Sequence, residues 1–121
     1  MGVANWQRRF AVLENNKFYL YEGDKTKEME EARKSIDLSK VQCVCFHYDE
    51  RAPVKSRKLA TQGIDQSRFD IYTIGRIYHI RSEESDARTQ MKHAQDWVDI
   101  LQNAAAHYNP KYDRKFLSTD I

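Results

Sequence analysis

Hydrophobic and polar residues alternate in short stretches between Trp6 and Ile80, which is the pattern of half-buried β-strands. The first two stretches run from Trp6 to Leu13 and from Lys17 to Tyr21, with Glu14-Asn15-Asn16 between them. Two adjacent asparagines favour a tight turn, because asparagine tolerates the left-handed backbone region. The sequence therefore predicts an N-terminal β-hairpin.

A second hairpin is predicted further along the chain. Residues 68–73 and 76–80 alternate in the same way, and Gly75 between them allows a sharp turn. Between the two hairpins, residues 35–38 and 41–48 also alternate and predict two more strands. The expected order is thus a run of antiparallel strands.

Asp49 to Asp65 has the composition of one long loop. It carries Pro53 and Gly63 and few large apolar residues. A loop of this length is uncommon in a compact domain unless it is functional or disordered. The loop also contains a basic cluster, made of Lys55, Arg57 and Lys58.

From Ala87 the apolar period changes to that of a helix. The expected buried stripe consists of Met91, Ala94, Val98, Leu101 and Ala105, with Trp97 beside it. Ser82 offers a capping hydroxyl, and the helix should end near Tyr108 because Asn109 precedes Pro110. Strands followed by one helix predict an α+β, mainly β chain whose helix buries one face against a sheet.

The length of 121 residues fits one domain, and 40% hydrophobic content excludes a disordered chain. A net charge of only +2 means that attraction to phosphate depends on where the basic residues lie. The sequence shows neither a membrane span nor a signal peptide, so a cytoplasmic protein is expected. Cys43 and Cys45 are two apart on one strand, which predicts buried free thiols in a reducing compartment.

The histidines do not suggest catalysis. His47, His79, His93 and His107 are dispersed, with no Ser-His-Asp pattern, metal-ligand spacing or glycine-rich phosphate loop. The sequence therefore predicts no enzyme activity, no cofactor and no metal. Nucleic acid is not expected as a partner either, because 18 acidic residues nearly balance 20 basic ones.

Five segments taken together resemble the pleckstrin-homology (PH) domain family over residues 6–106. They are residues 6–13 (WQRRFAVL), 18–21 (FYLY), 69–73 (FDIYT) and 76–78 (RIY), and a helix containing Trp97. The resemblance implies a PH-like, partly open barrel of two near-orthogonal antiparallel sheets, capped by one C-terminal helix. The implied domain covers residues 1–107, with the loop at about 49–65 between the fifth and sixth family strands and a tail at 108–121. The family's first strand should precede Trp6, so it is expected to be missing or truncated.

The resemblance also implies a lipid site at the barrel mouth. Arg9 matches the family arginine that grips phosphate, and a guanidinium suits this role because its donors can bind two oxygens at once. Tyr21 matches a tyrosine beside the head group, whereas Gln7 and Glu22 stand where tight binders carry basic residues. Weaker basic candidates are Arg8, Lys17, Lys25 and Lys27, with Lys55, Arg57 and Lys58 as a secondary basic loop.

The expected function is therefore that of a membrane-targeting or adaptor module in signalling, with weak, poorly selective binding of phosphoinositides or anionic lipids and peripheral membrane association. The alternative is a protein-interaction module that binds a peptide or partner domain through a strand edge or the helix groove. Asn109-Pro110-Lys111-Tyr112 resembles the Asn-Pro-x-Tyr turn recognised by phosphotyrosine-binding domains, although helix termination also explains Asn109 and Pro110. Such a domain is normally one module of a larger chain.

Overall fold

The computed structural model describes residues 6–22, 34–53, 66–83 and 86–117. These residues form two three-stranded antiparallel sheets and one long C-terminal helix. The alternating pattern and the helical period both predicted this order of elements. The chain divides into two compact units, Met1–Leu38 and Ser39–Ile121.

The first unit contains one sheet in the order β1-β2-β3. Its strands are β1 (Arg9–Glu14), β2 (Lys17–Glu22) and β3 (Lys34–Asp37). Asn15 takes the left-handed conformation, with φ of 55°, and so makes the predicted hairpin turn. The prediction that the first strand starts at Trp6 was wrong by three residues. Pairing begins only at Arg9, which lies opposite Glu22, the last residue of β2.

The second unit contains the other sheet, in the order β4-β5-β6. Its strands are β4 (Val41–Phe46), β5 (Arg68–Thr73) and β6 (Arg76–Arg81), and Gly75 forms the β5–β6 turn with φ of 85°. The predicted strand to Tyr48 ends instead at Phe46, because the Asp49 N–H donates to the Phe46 carbonyl and closes a turn. Residues 54–65 of the predicted long loop lie outside the described residues.

The helix α1 (Ala87–Tyr108) ends where the sequence predicted, with the Asn109 N–H donating to the Ala105 carbonyl at 2.8 Å. It also begins at Ala87, as predicted, but the residue that caps it differs from the prediction. The N-cap is Asp86, whose carboxylate accepts from the Thr89 N–H at 2.9 Å, and not Ser82. Ser82 instead offers its carbonyl to the Gln90 side-chain amide. The carboxylate of Asp86 is close enough to cap the first free amides of the helix, as aspartate commonly does.

One face of α1 is buried, and this face packs on β4 and β5. It comprises Ala94, Val98, Leu101, Gln102 and Ala105. Met91, predicted to belong to this face, is 39% exposed, and Trp97 is half-buried. A 22-residue helix is about 33 Å long, whereas a six-residue strand spans about 20 Å, so the helix is longer than the strands on which it packs.

The core of the second unit contains the two cysteines. Both are free thiols and both are buried, as predicted from their spacing. The hydrogen bond to Cys43, followed by burial, raises the pKa of the Cys45 thiol. A thiol held in its neutral form is a poor nucleophile, so this residue acts as a small core side chain.

The helix offers a direct test of its packing. Leu101 is fully buried and its neighbour Ile100 is 49% exposed. We expect Leu101→Ala to lower the free energy of unfolding by about 2–5 kcal/mol, because it removes core contacts and leaves a cavity. Ile100→Ala, the matched control, should change it by less than about 0.5 kcal/mol. Urea unfolding measures both, and equal losses would contradict the assigned helix face.

Candidate functional site

Arg9, the main candidate for phosphate binding, lies at one end of the first sheet. It is opposite Glu22, and along the same strand pair Leu13 is opposite Phe18, which in turn is opposite Ile36. Directly opposed residues, and residues two apart on a strand, share a face of the sheet. Since Phe18 and Ile36 are buried, Arg9 occupies the end of the buried face, at a position that is itself only partly covered.

The Arg9 guanidinium is oriented by its own chain neighbours. It donates to the Arg8 carbonyl at 2.8 Å and to the Gln7 side-chain oxygen at 2.6 Å. Both acceptors are neutral, and the residue directly opposite Arg9 on the same face of the sheet is the acidic Glu22. Gln7 thus acts as an acceptor that orients Arg9.

Lys34 is a candidate residue that sequence reasoning missed. It is the first residue of β3 and lies opposite Leu20, which places it on the same face and at the same end of the sheet as Arg9. Standard strand spacings separate the two backbones by about 10 Å across the sheet and about 7 Å along it. Because both side chains are long and Lys34 is exposed, they can reach one multiply charged head group. The alternation that buries Ile36 was the available signal.

The structure separates the other described candidates. Tyr21 lies opposite Phe10, on the other face of the sheet from Arg9, and its ring is 6.1 Å from that of Tyr19. Lys17 lies at the far end of β2, between Glu14 and Asp37, about 17 Å from the Arg9 end. Arg8 precedes β1 and is exposed. Lys25, Lys27, Lys55, Arg57 and Lys58 lie outside the described residues.

The second sheet brings together two histidines that sequence analysis treated as dispersed. The His47 Nδ1 atom lies 3.0 Å from one oxygen of Asp70, and the His79 Nδ1 atom lies 2.7 Å from the other. The Arg68 guanidinium also reaches this cluster, with its Nη2 atom 3.1 Å from the same His79 Nδ1 atom and its Nε atom 3.6 Å from Asp70. Asp70 is buried, so the two imidazoles supply the partners that a buried carboxylate requires. In the described ranges, no three His, Cys, Asp or Glu residues are placed to hold a metal ion.

The outer edge of β4 is covered by side chains from α1 and from Asn109, the residue that caps its C-terminus. The Gln102 side-chain amide donates to the Val44 carbonyl at 2.8 Å, and the Asn109 side-chain amide donates to the Val41 carbonyl at 2.7 Å. Gln102 and Asn109 are both buried. The buried side chains of Gln102 on α1 and of its C-cap Asn109 are thus explained by the backbone groups of the strand beneath them.

The residues after α1 continue this cover. The Val44 N–H donates to the Tyr112 hydroxyl at 3.1 Å, that hydroxyl donates to the Phe116 carbonyl at 2.8 Å, and the Asp113 N–H donates to the Gln42 carbonyl at 2.9 Å. Burial raises the pKa of Tyr112. The Asn-Pro-x-Tyr turn therefore has a structural role in this chain.

A mainly β module made of two three-stranded antiparallel sheets and one C-terminal helix is the class that these elements define. The model of the PH domain family matches residues 1–106. The chain belongs to the PH domain family. PH domains are generally non-catalytic modules that bind lipids or proteins. No curated protein matches the chain, and among its described residues no helix is long and apolar enough to cross a membrane.

Tyr112 gives a pH-dependent prediction. An unfolded tyrosine ionises near pH 10, whereas burial raises the pKa of Tyr112 in the folded chain, so its contribution to stability is complete below about pH 10 and declines above it. Tyr112→Phe should cost about 1–3 kcal/mol near pH 7, because it leaves the Val44 amide without its partner. The difference in free energy of unfolding between the unchanged chain and Tyr112→Phe should narrow by up to about 1.4 kcal/mol per pH unit above pH 10.

Unfolding in urea from pH 7 to 11 measures this difference. Tyr108→Phe is the control, because Tyr108 is exposed and should behave like the unchanged chain. A Tyr112→Phe penalty that stays constant across this range would contradict the buried, neutral phenol.

Proposed function

We propose that this PH domain is a non-catalytic membrane-targeting or adaptor module that binds phosphoinositides or other anionic lipids weakly and with little selectivity. The observation that carries the proposal is the position of Arg9 and Lys34 on one face and at one end of the first sheet. An arginine can bind two phosphate oxygens at once, and a nearby lysine adds charge. Peripheral attachment to a cytoplasmic membrane surface in signalling follows from such a site.

The expected affinity is low. Each basic residue near an anionic leaflet contributes about 1 kcal/mol, and this attraction is screened by salt. Arg8, Arg9 and Lys34 are the described cations at this end, whereas Lys17 lies at the opposite end between two acidic residues. Lys25, Lys27 and the basic loop residues Lys55, Arg57 and Lys58 are proposed to add diffuse attraction.

Vesicle sedimentation tests the position of the site. We expect Arg9→Gln/Lys34→Gln to weaken binding to phosphatidylserine vesicles containing phosphatidylinositol bisphosphate by about 10- to 30-fold at low salt, at about 1 kcal/mol for each charge. Lys17→Gln removes one charge from the same sheet at its other end and is the control. Lys17→Gln should change binding by less than twofold. If binding depended only on total charge, Lys17→Gln would weaken it as much as Arg9→Gln alone or Lys34→Gln alone.

The basic loop gives the complementary variant. If Lys55→Gln/Arg57→Gln/Lys58→Gln abolishes binding while Arg9→Gln/Lys34→Gln does not, the proposed end of the sheet is wrong. If the unchanged chain fails to bind anionic vesicles at low salt, lipid binding itself is wrong.

Protein binding is the second candidate function. In the part of the chain that the structure describes, β1 pairs only with β2, so its other edge presents backbone groups next to the exposed Trp6. Such an edge can accept a strand from a partner. Failure of all vesicle binding, with the chain folded, would favour this second function over the first.

A further inference from the structure

The outer edge of β4 carries backbone groups that need partners, and the chain itself supplies them. Four polar groups, the carbonyls of Val41, Gln42 and Val44 and the N–H of Val44, bond to α1 or to residues beyond it. Three of these four bonds come from residues 109–117, which we name the tail segment. A buried backbone group without a hydrogen-bond partner costs about 1–3 kcal/mol, so covering this edge with a segment that supplies partners is strongly favourable.

The tail segment is held mainly by side chains. Tyr112 is 4% exposed and Phe116 is 1% exposed, and they are four residues apart. Across the edge of β4, the one backbone–backbone hydrogen bond of the described tail segment joins Asp113 to Gln42. Two buried aromatic anchors on a short segment, here a turn followed by the 3-10 helix Arg114–Phe116, are typical of how short peptides bind to protein surfaces.

Arg51, from the loop after β4, acts as a clamp on the end of the tail segment. The carboxylate of Asp49 accepts from the Arg51 Nε atom at 3.1 Å and from its terminal nitrogen at 2.9 Å, and the hydrogen bond to Arg51 lowers the pKa of Asp49. The oriented guanidinium donates to the Lys115 carbonyl at 2.7 Å and lies 5.0 Å from the centre of the Phe116 ring. It therefore contacts one backbone group and one aromatic ring, which are features that an unrelated segment can also present.

The outward side of the tail segment is solvated. Pro110, Lys111, Arg114 and Lys115 are exposed, so the contacts that hold the segment come from one side only. Its attachment depends on Asn109, the two aromatic anchors, the Asp113–Gln42 hydrogen bond and the Arg51 clamp. A segment held in this way can be displaced by a competing segment with the same anchors, without breaking the pairing of β4 with β5.

We propose that the outer edge of β4, together with the adjoining face of α1 and the Arg51 clamp, is a peptide-docking groove that the tail segment fills as a built-in ligand. The partner that it accepts is a segment of another protein that forms the same turn and has the same chemistry, a tyrosine followed four residues later by a phenylalanine. The proposal does not depend on lipid binding, because every residue in it belongs to the second unit. It gives the second candidate function a site and a means of control.

The built-in ligand sets the strength of competition. Only residues 109–111 join Tyr112 to the end of α1, and a segment tethered so closely competes at an effective concentration of about 1 mM or more. A free peptide that binds the vacated groove with a Kd of about 10 μM should then bind the intact chain about 100-fold more weakly. Weakening the tail segment should therefore increase peptide binding rather than decrease it.

The test uses the full chain and a fluorescent peptide with the natural sequence of residues 108–119. We expect Tyr112→Ala/Phe116→Ala in the chain to raise its affinity for this peptide by about 100-fold. Lys111→Ala/Arg114→Ala is the matched control, because it changes two exposed residues of the same segment and should leave affinity unchanged. The peptide carrying Tyr112→Ala and Phe116→Ala should bind neither chain.

The proposal is wrong if the folded Tyr112→Ala/Phe116→Ala chain binds the peptide no better than the intact chain. It is also wrong if the intact chain sediments as a dimer that this double substitution abolishes, since a second copy would then occupy the groove. Vesicle binding should be unchanged in Tyr112→Ala/Phe116→Ala, which alters no charge, and this separates the test from that of lipid binding.

Hydrogen exchange on the intact chain covers the case in which the double variant does not fold. The Val44 amide, which donates to Tyr112, should exchange at least tenfold faster than the amides that pair β5 with β6, through an opening that leaves that pairing intact. If the Val44 amide exchanges no faster than those core amides, the tail segment is not released separately from the sheet and the proposal fails.

Discussion

The packing of the second unit depends on one constraint: the backbone N–H and C=O groups at the outer edge of β4 need hydrogen-bond partners. β4 lies at the edge of its sheet, yet most of its residues are buried beneath α1, so its outward backbone groups cannot all turn to water. This constraint explains why Gln102 and Asn109 interrupt an apolar surface and why the hydroxyl of Tyr112 points inward. Each of these polar side chains, from the helix or from the segment after it, forms a hydrogen bond with a backbone group of β4.

Much of this architecture follows from local sequence. Asn15 and Gly75 specify the two hairpin turns, and Asn109-Pro110 ends the helix, because each acts on the backbone of its immediate neighbours. The sequence-based predictions fail where contacts between distant elements decide which side chains are buried. Met91 belongs to the apolar stripe by period but is exposed, and Gln102 is buried although a count of apolar residues would exclude it. Neither result can be read from periodicity, which contains no information on the strand that a helix covers.

The candidate site likewise combines residues that the sequence indicates with residues that only strand pairing brings together. Arg9 was found through the family resemblance, whereas Lys34 required the register that places β3 against β2. Register also separates Lys17 from Arg9, although the two are close in sequence, because the hairpin places them at opposite ends of the sheet. In the second sheet, pairing brings His79 to Asp70 and the turn after β4 adds His47. Residue type alone gave no reason to group these three side chains.

The match to the PH family ends at residue 106, but the packed unit does not, since Tyr112 and Phe116 are as buried as the core of the sheet. A family boundary records where related sequences stop resembling one another, and a folding boundary records where buried contacts stop. A chain cut at residue 106 would uncover the edge of β4, and an uncovered edge is a template for intermolecular strand pairing and aggregation. We therefore expect the residues beyond the family match to protect this edge from such pairing.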